Sequence, residues 1–377
     1  MDLLSFDRFM DTPFQFDKFV TGRYFVGRRR DCQAIAEAIG EGESLAIWGT
    51  HEAGKMSAVR QALYQMKVAG KQCQVCEVDL TPVRNIDAFF KIFEDSVLRA
   101  GSKTPEGRSE LASKYLSSDG GQDEFSADDS RWQTSVLSLP YRIAEFLSMP
   151  LVVILKEFQN VDFDGAEKCI RLLERVIDAN RGNAMPPCSF VFMGSEVNAM
   201  EHIFLRKKYF RDVTRTVRLS QISDSDITEH VLRGFSAGGK VVDRELVQNV
   251  CNMLHNEIGY INQFFFICDS LSKGYISELT VKDALSCMLA VHVPSYQRIM
   301  RDLTGYQVRL LKAILDGKTK FSTSDVIDSY GLNSSANVKR LKDALMKKEI
   351  VCFNDKDEPE LQDPLFDYWL RNFYFEM

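Results

Sequence analysis

Gly49-Thr50-His51-Glu52-Ala53-Gly54-Lys55 follows the short apolar run Ser44-Leu45-Ala46-Ile47-Trp48 and precedes a segment, 53–68, whose Val59, Leu63 and Met66 recur at helical spacing before Gly70. The seven residues fit G-x-x-x-x-G-K, and strand, loop and helix is the setting this phosphate-binding pattern requires. Glycines let backbone N–H groups wrap a phosphate, the helix N-terminus contributes partial positive charge, and the lysine reaches the β- and γ-phosphates. Lys55 is that lysine. The competing reading, a chance glycine turn before an ordinary helix, loses weight because of the setting.

Outward from this loop the alternation continues. Helices are predicted at 30–39, closed by Gly40, at 86–99 and at 165–179. Strands are predicted at 74–80, 151–155, 189–193 and 216–219. Strands alternating with helices imply a mostly parallel sheet covered on both faces, an α/β domain. Residues 101–131 interrupt the pattern with the Ser/Gly/Asp-rich SSDGGQDEFSADDS and read as a mobile surface insertion of weak order. Residues 1–20 carry Phe6, Phe9, Phe14, Phe16 and Phe19 without clean periodicity, an arm packed against the body or fitted to a partner groove. After Ser220 the strands are expected to stop. An all-helical run continues to about Val291, and from Pro294 helices at 295–315, 323–330 and 336–348 precede an apolar 350–353 run and the turn-rich NDKDEPE. Three helices followed by a hairpin describe a winged helix. The expected organisation is therefore 1–220 as a P-loop NTPase-type domain with its arm and insertion, 221–293 as a helical lid and 294–377 as a winged helix.

Bulk properties agree with several globular units. At 377 residues the chain exceeds the ~100–200 residues of one ordinary domain. Its 45% hydrophobic and 27% charged residues match globular averages. A net charge of -6 argues against a whole-surface attraction to nucleic acid. The first residues, MDLLSFDRFMDTPF, lack the basic and apolar blocks of a signal peptide. The longest apolar run, at 150–155, is far short of the ~20 residues a membrane span needs. Nine scattered cysteines fit a reducing compartment, so the cytoplasm is the expected location and no membrane partner is expected.

The phosphate loop departs from its pattern at the next position, where a Ser or Thr hydroxyl would bind Mg²⁺. Met56 stands there. Ser57 carries a hydroxyl, but one helical residue rotates a side chain by about 100°, away from that ligand position. Glu52 is a second departure, a carboxylate that would repel phosphates unless it turns outward or is protonated. A buried strand ending in an acid for Mg²⁺, often followed by a glutamate for water, is also expected. Leu151-Val152-Val153-Ile154-Leu155 is that strand, and Lys156-Glu157 follows: the metal-side acid is replaced by a cation and the water-side acid is kept. Metal stabilisation is worth several kcal/mol, and each ~1.4 kcal/mol changes a rate tenfold. Hydrolysis should therefore be slow or absent. Two readings of Lys156 stand open: an ammonium near the metal position that neutralises phosphate without Mg²⁺, or an ion pair with Glu52 or a neighbouring acid.

With these residues in view, the chain resembles the archaeal-type ATPase family, a relative of STAND and origin-recognition-type AAA+ ATPases that also occurs in bacteria. The resemblance spans nearly the full length. It rests on Phe25-Val26-Gly27-Arg28, the altered loop from Gly49 to Met56, ILKEFQNV at 154–161, Phe192-Met193-Gly194-Ser195, and Asp363-Pro364-Leu365-Phe366 with Trp369-Leu370. It implies ATP or ADP in the cleft, Val26, Gly27 and Arg28 near the base, Gly49, Thr50, His51, Glu52, Ala53, Gly54, Lys55, Met56 and Ser57 around the phosphates, Ser195 as γ-phosphate sensor, and the helical domain as a lid. Where the family has a Gly-x-Pro turn in that lid, this chain has Gly259-Tyr260-Ile261.

Other constellations carry less. Cys73 and Cys76 lie three apart on a predicted strand, facing opposite ways, with no second pair to complete a zinc site. The five histidines show no metal-ligand spacing; His51 alone lies near the phosphate loop. Arg206, Lys207, Lys208, Arg211 and Arg215 read as a solvated basic face rather than an arginine finger. On the 336–348 helix Lys339, Arg340 and Lys342 could enter a DNA groove, yet Asp355, Asp357, Glu358 and Glu360 on the wing would oppose phosphates, so a protein contact is favoured. Three functions follow in order: a nucleotide-binding regulatory or scaffold protein with weak or absent hydrolysis; an active ATPase using Glu157, Ser57 and water, with Mg²⁺; and a nucleotide-free pseudo-ATPase that binds protein or DNA.

Overall fold

The computed structural model describes residues 12–116, 128–354 and 356–377. It divides the chain into two compact units. One comprises Arg28–His51 and Lys55–Ser220; the other comprises Met1–Gly27, Glu52–Gly54 and Gln221–Met377.

The first unit is built on a five-stranded, wholly parallel sheet: β1 (Ser44–Trp48), β2 (Gln74–Asp79), β3 (Leu151–Lys156), β4 (Cys188–Gly194) and β5 (Thr214–Arg218), in the order β2-β3-β4-β1-β5. The three central strands are apolar and buried along nearly their whole length, as burial on two faces requires, whereas edge strand β2 buries only Cys76 and Val78 and edge strand β5 only Val217. Helices α1 (Arg29–Gly40), α2 (Lys55–Val68), α3 (Ile86–Gly101), α4 (Pro105–Leu116), α5 (Asp128–Leu147), α6 (Ala166–Asn180) and the short α7 (Val197–Glu201) belong to this unit. Its core is rich in phenylalanine. Phe158, Phe192, Phe204 and Phe210 pack ring against ring, their centroids 4.6–6.0 Å apart.

The expectation of weak order over 101–131 does not hold where the chain is described. Residues 105–116 form α4, and Leu111 is buried beside Ile143 of α5 at the close approach of Gly101. One buried leucine is enough to dock an otherwise polar helix, which composition averaged over thirty residues conceals. Residues 117–127 lie outside the described residues, as do Phe6 and Phe9.

The second unit holds α8 (Asp224–Ala237), α9 (Arg244–Met253), α10 (Ile258–Leu271), α11 (Glu278–Arg301), α12 (Gly305–Leu315), α13 (Ser324–Tyr330), α14 (Ser335–Lys347), the hairpin β8 (Val351–Phe353) with β9 (Pro359–Leu361), and α15 (Pro364–Trp369). Helix starts are capped as their sequences dictate: Ser223, Asp243, Ser277, Thr304, Ser334 and Asp363 all accept backbone N–H bonds. Three features differ from expectation. Strands do not stop at Ser220, because Val241–Val242 (β6) pairs in parallel with Tyr275–Ile276 (β7). Pro294 does not start a helix but lies inside the 24-residue α11; proline removes one helical donor, and burial of Met288, Leu289, Tyr296 and Met300 on either side holds the helix together. The arm, grouped with the sheet in sequence, belongs by its contacts to the helical unit. Phe14 is fully buried there against Phe235 and Phe265, and the Asn262 amide donates to the Gln15 carbonyl. A single apolar core runs from Phe14 through helices α8 to α11 to Trp369 and Leu370 near the C-terminal end of the unit.

Candidate nucleotide site

The phosphate loop forms where the sequence puts it, between β1 and α2. His51–Ala53 make a 3-10 turn, and Gly54 has φ 75, a left-handed conformation that favours glycine. Lys55 is buried at the start of α2, and its Nζ donates to the carbonyls of Gly49 (2.9 Å) and Thr50 (2.6 Å). The ammonium thus lies in the concavity of the loop, at the positive end of the α2 dipole. Met56 and Ser57, the next two residues of α2, are both half-buried, and His51 is exposed.

Before α1, Arg28 has left-handed backbone (φ 51), and its Nε donates to the Ser220 carbonyl at 2.7 Å. Asp31 binds the backbone N–H and hydroxyl of the same serine. Val26 is buried, and Gly27 sits so close to Ile222 that a Cβ would touch its methyl at 3.0 Å. Phe25-Val26-Gly27-Arg28 is therefore a tightly held bend.

The ends of β3 and β4 bring Glu157 and Ser195 together. Glu157 takes φ 54 at the end of its strand, a conformation costly for a residue with a Cβ. Its carboxylate accepts from the Ser195 hydroxyl and, at 2.7 Å, from the Gln159 amide. Gln159 is a participant that sequence reasoning missed. It is buried, and a Cβ at Gly194 would strike its Oε1, so glycine at 194 makes room for it. Its only sequence signal was its place two residues after Glu157.

Lys156 makes an ion pair with neighbouring acids other than Glu52. Its Nζ lies 3.2 Å from Asp79 and 3.9 Å from Glu77, both on the adjacent strand β2, and Glu77 also pairs with Arg60 of α2. Asp79 is held below its usual carboxylate range: burial acts to raise it, but hydrogen bonds from Thr81 and the charge of Lys156 outweigh that. Neither Asp79 nor Glu77 was singled out in sequence; alternation along β2, with Cys76 and Val78 inward, was the available signal.

Magnesium takes oxygen ligands in near-octahedral geometry. Of the two positions that would supply them, one is the thioether of Met56 and the other a lysine already shared by two carboxylates. This donor set does not fit the ion.

Glu52 takes the outward alternative. Its carboxylate rests on Gly259, at the first turn of α10, where a Cβ would overlap it.

Comparison with known proteins agrees with this geometry. Over nearly its whole length the chain superimposes on the Walker-type ATPase of Pyrococcus abyssi, with TM-score 0.67, 16% identity, and 95% of this chain and 99% of that one covered. The chain has the fold of such ATPases. The ADP form of the Aeropyrum pernix ORC2 protein gives 0.58 at 11% identity with 93% of each chain covered, and its ADPNP-ADP complexes give 0.52 at 12% with 95% and 97% covered. Residues 294–372 match a family model described as "Probable winged helix domain". No curated protein matches the sequence. The chain thus shares the fold of these proteins, a parallel sheet with helices followed by a C-terminal winged helix.

Elsewhere, Arg206, Lys207, Lys208, Arg211 and Arg215 are all exposed. On α14, Lys339 and Arg340 are exposed, but Lys342 is bound to the wing, its Nζ 2.6 Å from Asp357 and 4.0 Å from the centre of the Phe353 ring. No helix among the described residues is long and apolar enough to cross a membrane.

Proposed function

We propose that the protein is a nucleotide-binding regulatory or scaffold protein that takes ATP or ADP on residues 49–55 and hydrolyses ATP slowly or not at all. The observation that carries this reading is the Lys156–Asp79 ion pair, because it occupies the strand end at which this fold needs a free acid for metal. Met56 removes the second metal ligand, while Lys55 and the glycine loop keep what phosphate binding needs. Val26, Gly27 and Arg28 would border the base and Ser195 the terminal phosphate. The nucleotide complexes named for the Aeropyrum pernix ORC2 protein support nucleotide as the ligand class. The partner read by the winged helix is a protein in this proposal: Lys342 is engaged by the acidic wing, which leaves Lys339 and Arg340 as the cations of α14's outer face best placed for DNA.

The test is calorimetric titration of ATP and ADP into the full chain, with magnesium and with chelator, together with steady-state turnover. Binding that persists in chelator with negligible turnover is expected. Affinity that strictly requires magnesium would overturn the metal-independent reading, and no heat under any condition would leave a nucleotide-free interaction module.

The active-ATPase alternative draws on one observation, the Glu157–Ser195–Gln159 cluster, which holds the Glu157 carboxylate by hydrogen bonds at the end of β3, where that reading would use it. Any turnover that Glu157→Gln abolishes would favour it.

A further inference from the structure

Residues Glu52–Gly54 pack with the helical unit, although the chain on both sides of them belongs to the sheet unit. The middle of the phosphate loop is therefore anchored on α10. The anchor is Glu52, whose carboxylate covers Gly259 in the first turn of that helix. The N-cap residue, Glu257, makes no side-chain cap, and the positive end of the helix dipole lies on this side of α10.

The contact continues into the winged helix. Tyr260, the residue after Gly259, is buried beside Asp363, and burial first, then the charges of Asp363 and Glu52, push its phenol well above its ordinary pKa. Tyr296 Oη donates to Asp363 Oδ2 at 3.0 Å, and its ring packs on Phe366 and Trp369 of α15. The other oxygen of Asp363 caps α15 by accepting from the Leu365 and Phe366 N–H groups at 2.9 and 3.1 Å. Four side chains thus connect the phosphate loop to the last helix of the winged domain, and all of them lie in one compact unit.

A loop that takes a phosphate must turn its N–H groups and Lys55 toward the anion. In this structure Lys55 is spent on loop carbonyls, and the turn at 51–53 is tied to α10 by a group of the same charge as the ligand. We propose that Glu52 is a latch: nucleotide phosphate on residues 49–55 drives its carboxylate off the first turn of α10, and Tyr260 and Asp363 pass the release to α15. The latch rests on the nucleotide-binding reading above and adds its regulation.

The test is hydrogen exchange on the full chain, free and saturated with ADP, for wild type, Glu52→Gln and Tyr260→Phe, with ADP affinity measured by calorimetry. In wild type, ADP is expected to speed exchange at 258–261 and 364–369. Glu52→Gln should show that faster exchange without ligand and bind ADP about tenfold tighter, since a like charge is gone. Tyr260→Phe should bind ADP like wild type and lose the response at 364–369 alone. If wild type binds no ADP, the nucleotide reading fails and the latch with it. If wild type binds ADP with unchanged exchange at both segments, or Glu52→Gln matches wild type in affinity and exchange, the latch alone is overturned.

Discussion

The Lys156 ammonium stands 3.2 Å from the Asp79 carboxylate, at a register position where parallel strands β3 and β2 align the two residues side by side. Lys156 is held among Glu77 and Asp79, so its charge is matched to acids rather than to a metal. Replacing it with aspartate would set three acids together with Arg60 as the nearby cation. Lys156→Asp should therefore lower stability by about 0.5–1 kcal/mol at low ionic strength, a modest figure because both partners are partly exposed, and salt should reduce the loss. Thermal unfolding at low and high salt reads this directly. The same pairing fixes an acid limb: with the Asp79 pKa lowered on folding, its contribution is full above the ordinary value of 3.8 and fades as pH falls through the lower folded value.

Restoring both missing metal ligands is a sharper test of the site. Met56→Ser combined with Lys156→Asp should give nucleotide binding that magnesium strengthens, and turnover above wild type, while neither single change does so. Asp79→Asn in the same background should offset the added repulsion. A double variant whose binding ignores magnesium would show that the loop cannot host the ion even with its ligands supplied.

Gly259 offers a test of packing against propensity. Its φ lies outside the left-handed region, so alanine should favour the helix by about 1 kcal/mol. The Cβ would overlap the Glu52 carboxylate, so in wild type Gly259→Ala should instead destabilise. In a Glu52→Ala background the same substitution should stabilise. The sign reversal, read by a double-mutant cycle in denaturant, measures the coupling between the two residues.

Much of this was legible in sequence because it depends on local chemistry. The glycine loop, the apolar runs of β1, β3 and β4 and the serine, threonine and aspartate caps specify their structures within a few residues. Glu157 could be picked out because it follows a buried apolar strand, whereas Ser195 was named only through the family resemblance. Partners fixed by tertiary register were not legible. Nothing local joins Lys156 to Asp79, 77 residues earlier, or Glu52 to Gly259. Helix α4 was missed because its composition is polar and its docking depends on Leu111, and α11 was cut at Pro294 because a proline's cost can be read in sequence while the burial that offsets it cannot.

The arm supplies the last prediction. His230 is buried in the helical unit, its ring edge-on to Phe14, with Nε2 2.9 Å from Asn262 Oδ1. Because the Asn262 amide nitrogen donates to the Gln15 carbonyl, its oxygen is the acceptor and Nε2 carries the proton of a neutral imidazole. Burial pushes the His230 pKa below its ordinary 6.5, against a smaller upward effect of the Asn262 bond. Between the two values the unfolded chain binds a proton that the folded chain refuses, so stability is full above pH 6.5 and falls as pH drops toward the folded pKa. His230→Gln keeps a donor for Asn262 and cannot titrate. Whatever its stability at pH 8, its decline between pH 6.5 and 5 should be shallower than in wild type. Denaturant melts at pH 8, 6.5, 5.5 and 5 measure the two slopes, and equal slopes would mean that another group sets the acid limb.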